Sequence, residues 1–229
     1  MNGFVFGSSD AAARLRGKAP LAAAAFSVVA VLFGAWLARR FTPDDAADVA
    51  LGGVVFGFAL PLVAYAAVGR VCGGGRLDDA VRPLARHGAN RRGAVLGAIF
   101  AAAVRVSALG AAFGFLGVLV ARSHGGAAAT FADAFTSAWI GALGGAVYVA
   151  WFGLGSLFGK AGSGRAVALA LDWIFGPSAS ALAMPWPRAH LRSLLGGELV
   201  LGLPEWQSTV ALYALALVYV ALVGLRVAK

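Results

Sequence analysis

Residues 73–93 read GGGRLDDAVRPLARHGANRRG, and this interval decides how the rest of the chain is read. It is the longest polar stretch in a very apolar sequence. It carries Arg76, Arg82, Arg86, Arg91, Arg92 and His87 against only Asp78 and Asp79. Long apolar runs flank it on both sides. A short basic segment between two membrane spans stays on the cytoplasmic face, because lysine and arginine resist translocation. That orientation propagates to every other span. The segment is also where a soluble partner is expected to touch the protein.

Composition supports a membrane setting. The 229 residues are 60% hydrophobic and 13% charged, with a mean hydropathy of +0.82. Soluble domains are about 45–50% apolar and about 25% charged. The formal net charge of +9 is assigned to basic residues that flank spans and face anionic lipid, so no nucleic-acid partner is expected. One cysteine, Cys72, excludes an internal disulfide and a cysteine metal cluster. Asp10, Arg14, Arg16 and Lys18 precede an apolar run long enough to cross. That pattern fits a retained first helix rather than a cleavable signal.

Working outward, residues 1–19 form a cytoplasmic or interfacial lead-in, with Phe4, Val5 and Phe6 at the interface. An all-α fold follows: one transmembrane domain over 20–229, with spans at 20–38, 49–69, 93–121, 131–158, 166–184 and 208–225. Pro61 marks a kink in the second span that neighbouring helices must satisfy. Leu77, Val81, Leu84 and Ala85 share one face of a short surface helix over 77–87, with Asp78 and Asp79 in its first turn. Gly88 is placed to end it. The third run is about 43 Å long as a helix, against a core of about 30 Å, so it protrudes or tilts. Gly141 and Gly145 give the fourth span a small-xxx-small face for close packing. The fifth carries Asp172 and Pro177. Residues 185–207, with Trp186 and Trp206 at the ends, read as short outer helices at headgroup level. Counted this way, thirteen of the nineteen basic residues lie inside, five outside, and Arg105 within a span. The bias favours both termini in the cytoplasm.

Few residues point to catalysis. GLGSLFGKAGSGR (153–165) has Leu154 where a phosphate loop needs glycine, and Ala161 where it needs serine or threonine. No HExxH occurs, and His87, His124 and His190 fall in loops, so no metal site and no enzymatic activity are expected. Arg105 and Asp172 are the two charges inside spans. Each costs about 2.5–3.5 kcal/mol at a helix centre, so each needs a partner. An ion pair between spans three and five is one solution. The alternatives are snorkelling of Arg105 to the headgroups and a local hydrogen bond or interfacial position for Asp172.

Six spans and a basic helix between the second and third resemble the permease subunits of type-2 ABC exporters. RPLARHGANRRGAVLGAIF (82–100) is similar to that family's passage from coupling helix into the third span. GSLFGKAGSGRAVALALDWIFG (155–176) is similar to its inner turn between spans four and five. The resemblance implies a chain that does not hydrolyse ATP. ATP and magnesium would sit on a separate ABC ATPase subunit, and two permease copies, identical or not, would form the transporter. It implies an ATPase contact through Leu77, Val81, Arg82, Pro83, Leu84, Arg86 and His87, and a bacterial cytoplasmic (inner) membrane location. Lipid, glycan, peptide and drug all stand as substrate alternatives. A non-transport membrane scaffold and an ion-coupled secondary transporter are the competing readings. The second of these usually shows inverted repeats and midplane polar groups.

Overall fold

A computed structural model describes residues 2–122 and 127–227. The described chain is 82% helical and contains no strand. In order come α1 (Gly3–Arg14), α2 (Lys18–Phe41), α3 (Ala46–Asp48), a π-helical stretch (Val49–Ala59) and α4 (Leu60–Val71). Then follow α5 (Leu77–Ala80), α6 (Arg82–Arg86), α7 (Arg91–Ala121), α8 (Ala127–Gly155), α9 (Gly164–Phe175), α10 (Pro187–Leu194) and α11 (Glu205–Val227). Among the described residues, five helices are long and apolar enough to cross a membrane: Lys18–Phe41, Ala46–Val71, Arg91–Ala121, Ala127–Gly155 and Glu205–Val227. They match five of the six expected spans. His124 and Lys229 lie outside the described residues.

The span expected over 166–184 is not one helix. α9 has 12 residues, about 18 Å, well short of a hydrocarbon core of about 30 Å. Gly176 and Pro177 end it, because proline offers no N–H and opposes continuation. The chain then turns through 176–186 and starts again as α10. Trp186, expected in a headgroup belt, instead packs inward between Phe175 (5.7 Å) and Trp151 (5.4 Å). The Tyr219 hydroxyl of α11 donates to the Pro185 carbonyl. His190 and Leu191 of α10 are fully buried. The semi-polar segment is thus partly core.

α7 and α8 meet backbone to backbone. A Cβ added at Gly110 would overlap the Gly141 carbonyl, and one at Gly141 would overlap the Gly110 carbonyl. Gly114 is closed in the same way by the Ser137 carbonyl, and Gly145 lies against the Ser107 backbone. Ser107 Oγ donates to the Ala142 carbonyl at 2.7 Å. The expected Gly141/Gly145 face is therefore used, and α7 supplies its own glycines opposite. Such seams suit a membrane, where association relies on close packing and interhelical hydrogen bonds rather than on expulsion of water.

α1 is more than an interfacial lead-in. Gly3, Gly7 and Ala11 form a buried stripe that lies along α7, with Gly3 on Asn90 and Gly7 on Ala94. Gly93 and Gly97 return the contact onto Gly3, Phe4 and Ser8. Both sequences advance together, so α1 runs parallel to the first turns of α7. This explains the surplus length of α7: its 31 residues make about 46 Å, and the first part is sheathed by α1. Phe4, Val5 and Phe6 are exposed, as an interfacial position requires, and the Phe4 ring also packs on Phe100 of α7 at 5.5 Å.

Pro61 is satisfied from outside its helix. It has no N–H for the Gly57 carbonyl four residues back, and the Trp173 indole N–H donates to that carbonyl at 3.1 Å. Trp173 also packs on Phe58 at 5.4 Å. Replacing Trp173 with phenylalanine keeps most of the ring packing and removes the donor. The expected cost is about 1–2 kcal/mol, read as a lowered thermal midpoint of the detergent-purified protein. An unchanged midpoint would mean that Gly57 is served without the indole.

Candidate functional site

The basic interval folds as two short helices rather than the single helix expected over 77–87. Pro83 explains the break at Val81, because it cannot donate to the Asp79 carbonyl and its ring crowds that group. Leu77 and Val81 are buried in the main core, and Leu84 packs partly against it. Arg82, Pro83, Arg86 and His87 are exposed. The His87 Nδ1 donates to the Pro83 carbonyl at 2.8 Å. Gly88 adopts φ +83°, a conformation glycine takes freely, and the Ala89 N–H closes back on the Leu84 carbonyl at 3.1 Å. The apolar face expected from the sequence is the face that is buried.

The charges divide by role. Asp78 holds Arg76 at 3.2 Å and Arg91 at 3.1 Å, which ties α5 to the start of α7. Arg92 lies against Gly224 of α11. Asp79 pairs with Arg82 at 2.5 Å along the exposed edge. Arg82, Arg86 and His87 therefore present the outward basic surface.

A residue missed by sequence reasoning anchors this surface. Arg14, at the end of α1, donates to the Val71 carbonyl at 2.9 Å and the Ala80 carbonyl at 3.2 Å. These are the last carbonyls of α4 and α5, where helix dipoles favour a cation. Asp10 pairs with Arg14 at 2.9 Å, and Arg70 Nε donates to the Arg14 carbonyl at 3.2 Å. One side chain thus fastens the N-terminal helix, a spanning helix and the surface segment. The only sequence signal was an arginine in the last turn of an amphipathic stretch. Cys72 is buried beside this knot. Burial pushes its thiol up, which keeps it protonated and a poor nucleophile.

Asp172 and Arg105 are not brought together. Asp172 is fully buried. Its carboxylate accepts from the Tyr148 hydroxyl at 2.9 Å and from the Arg188 backbone N–H at 3.1 Å. Arg188 is the second residue of α10, whose Trp186 N-cap supplies no side-chain hydrogen bond. Asp172 therefore caps α10 from a neighbouring helix. Of the alternatives for Asp172, the local hydrogen bond is the one formed. Arg105 makes no ion pair or hydrogen bond among the described residues. By the α7/α8 register, Tyr148 falls at about the level of Arg105, so the two charges share a depth but point to different neighbours.

Arg105 lines a cleft of about 1610 Å³ between α2, α4 and α7. Leu21, Phe26, Leu62 and Leu109 form part of its apolar wall, and Arg14, Arg16, Lys18 and Arg70, from the α1–α2 junction and the end of α4, line it together with Arg105 of α7. Among the described residues, no acidic side chain lines it. α2 leaves this space open because its buried residues, Val31, Ala35 and Ala38, all fall in its second half.

Comparison of the chain with protein-family models, curated proteins and solved structures finds no match.

Proposed function

We propose that this chain is the membrane-spanning permease subunit of an ATP-driven exporter, and that the α5–α6 segment couples it to a separate ATPase subunit. The observation that carries the reading is the mounting of that segment. Leu77 and Val81 key it into the core, Arg14 and Asp78 bind it to α1, α4 and α7, and Arg82, Pro83, Arg86 and His87 face outward. A rigid, exposed, basic element fixed to several spanning helices is suited to transmit closure of a soluble domain to those helices. A segment that merely attracted anionic lipid would need no such anchoring.

In this reading the chain makes six passages with both termini in the cytoplasm. The α9–α10 unit serves as the fifth. Three contacts support it. Arg165 at the start of α9 reaches toward the Gly75 carbonyl (3.5 Å). Ser208 near the start of α11 donates to Ser193 at the end of α10 (3.1 Å). Gly224 near the end of α11 lies on Arg92 at the start of α7. α8 is antiparallel to α7, so α8 and α11 both finish at one end of the bundle, and the chain between them must return.

The test is retention of an ATP-binding-cassette ATPase encoded beside the gene. Wild-type protein in detergent should retain it, and Arg82→Glu combined with Arg86→Glu should lose at least tenfold of it with an unchanged elution profile. Equal retention by both proteins would remove the coupling role. No retention by either would favour a membrane scaffold instead.

A further inference from the structure

We infer that the cleft between α2, α4 and α7 binds a single anionic phospholipid, with its phosphate among Arg16, Lys18, Arg70 and Arg105 and its acyl chains along the apolar wall. This goes beyond the permease reading and does not depend on it.

Charge complementarity carries the argument. The side chains of Arg16, Lys18 and Arg105 have no hydrogen-bond or ion-pair partner among the described residues. Arg70 spends only its Nε, on the Arg14 carbonyl, which leaves its terminal nitrogens free. Arg14 is committed to Asp10, Val71 and Ala80 and serves as a wall. Four cations therefore line a cleft that, among the described residues, no carboxylate lines. Arg16, Lys18 and Arg70 are exposed at the mouth of the cleft and Arg105 is half-buried, so an anionic headgroup can reach all four while its chains follow the apolar wall.

Shape supplies the second half. The remaining lining comes from alanines, leucines, valines and Phe26 on three helices. A volume of about 1610 Å³ exceeds the roughly 300–1,000 Å³ of a small-molecule pocket and suits a two-chain lipid. A free phosphate would use the cations and leave the apolar wall bare. A second protein copy would cover the wall and bury four like charges without compensation, which is costly.

The experiment is native mass spectrometry of the full chain in neutral detergent, titrated with dioleoyl phosphatidylglycerol or dioleoyl phosphatidylcholine. Wild type should retain one phosphatidylglycerol per chain in preference to phosphatidylcholine. Arg70→Gln combined with Arg105→Gln should weaken that retention about 30-fold, from roughly fivefold per cation near an anionic headgroup. Arg39→Gln combined with Arg40→Gln, at the other end of α2, should leave it unchanged. Thermal midpoints of all variants separate lost binding from lost folding. Equal retention of both lipids, no effect of the cleft variant, or displacement of the lipid by inorganic phosphate would each overturn the inference. So would a lipid-free dimer whose dissociation is what Arg105→Gln alters, because the cleft would then belong to a second copy.

Discussion

Replacing Asp172 with alanine is expected to destabilise the protein by about 2–6 kcal/mol. The change leaves the Tyr148 hydroxyl and the Arg188 N–H, both partners of the carboxylate, without an acceptor. A buried donor left unmade costs about 1–3 kcal/mol. It also frees the first turn of α10, so the loop over 176–186 should become protease-sensitive. Asp172→Asn keeps one carbonyl oxygen and should lose about half as much. Thermal unfolding followed by tryptophan fluorescence measures both, since Trp151, Trp173 and Trp186 sit around the site. Arg105→Ala provides the contrast: with no partner to orphan, it should stay within about 0.5 kcal/mol of wild type. The double substitution should be additive, as for sites that share no partner. A coupling of more than about 1 kcal/mol would restore the ion pair between the two charges.

The second large effect is expected at the α7/α8 seam. Gly141→Leu would drive a side chain into the Gly110 carbonyl, which cannot move without displacing α7. Overpacking of this kind costs about 1–3 kcal/mol where side chains can yield. Here the obstacle is backbone, so about 3 kcal/mol is the expected minimum, read as loss of folded monomer on size exclusion. Gly53→Ala is the control, because its Cβ would meet nothing within 4 Å. Similar behaviour of the two variants would mean that glycine is needed for helix flexibility rather than for close approach.

These two sites show how differently the chain reveals itself. Gly141 and Gly145 announced a packing face by their spacing alone, since a four-residue interval places both on one side of a helix. What they packed against was silent, because Gly110 and Gly114 look like any glycines in an apolar run. Asp172 announced itself by the cost of a buried charge, but its partners did not. Tyr148 lies 24 residues away on α8, and a backbone N–H has no sequence signature. The natural guess was the other intramembrane charge, which lies at a similar depth but points elsewhere. Arg14 was the least legible, because its role depends on where two other helices end.

The basic interval was read correctly in its burial and incorrectly in its continuity. Leu77, Val81 and Leu84 face inward as their spacing demanded, yet Pro83 cuts the helix in two. Likewise, Pro177 lay in plain view inside the expected fifth span, where α9 stops.

By itself, the sequence determined that the chain is helical, where five helices long and apolar enough to cross a membrane run, and which face of the 77–87 segment is buried. These follow from hydropathy and helical period, which are local quantities summed along the chain. Only the tertiary structure decided that the stretch expected as a fifth span breaks into α9 and α10, that α1 sheathes α7, that Arg14 ties three elements together, and that Arg105 faces a cleft. Each depends on which surfaces meet across tens of residues. In an apolar chain, nearly every surface is a plausible partner until close packing and the few polar groups select one.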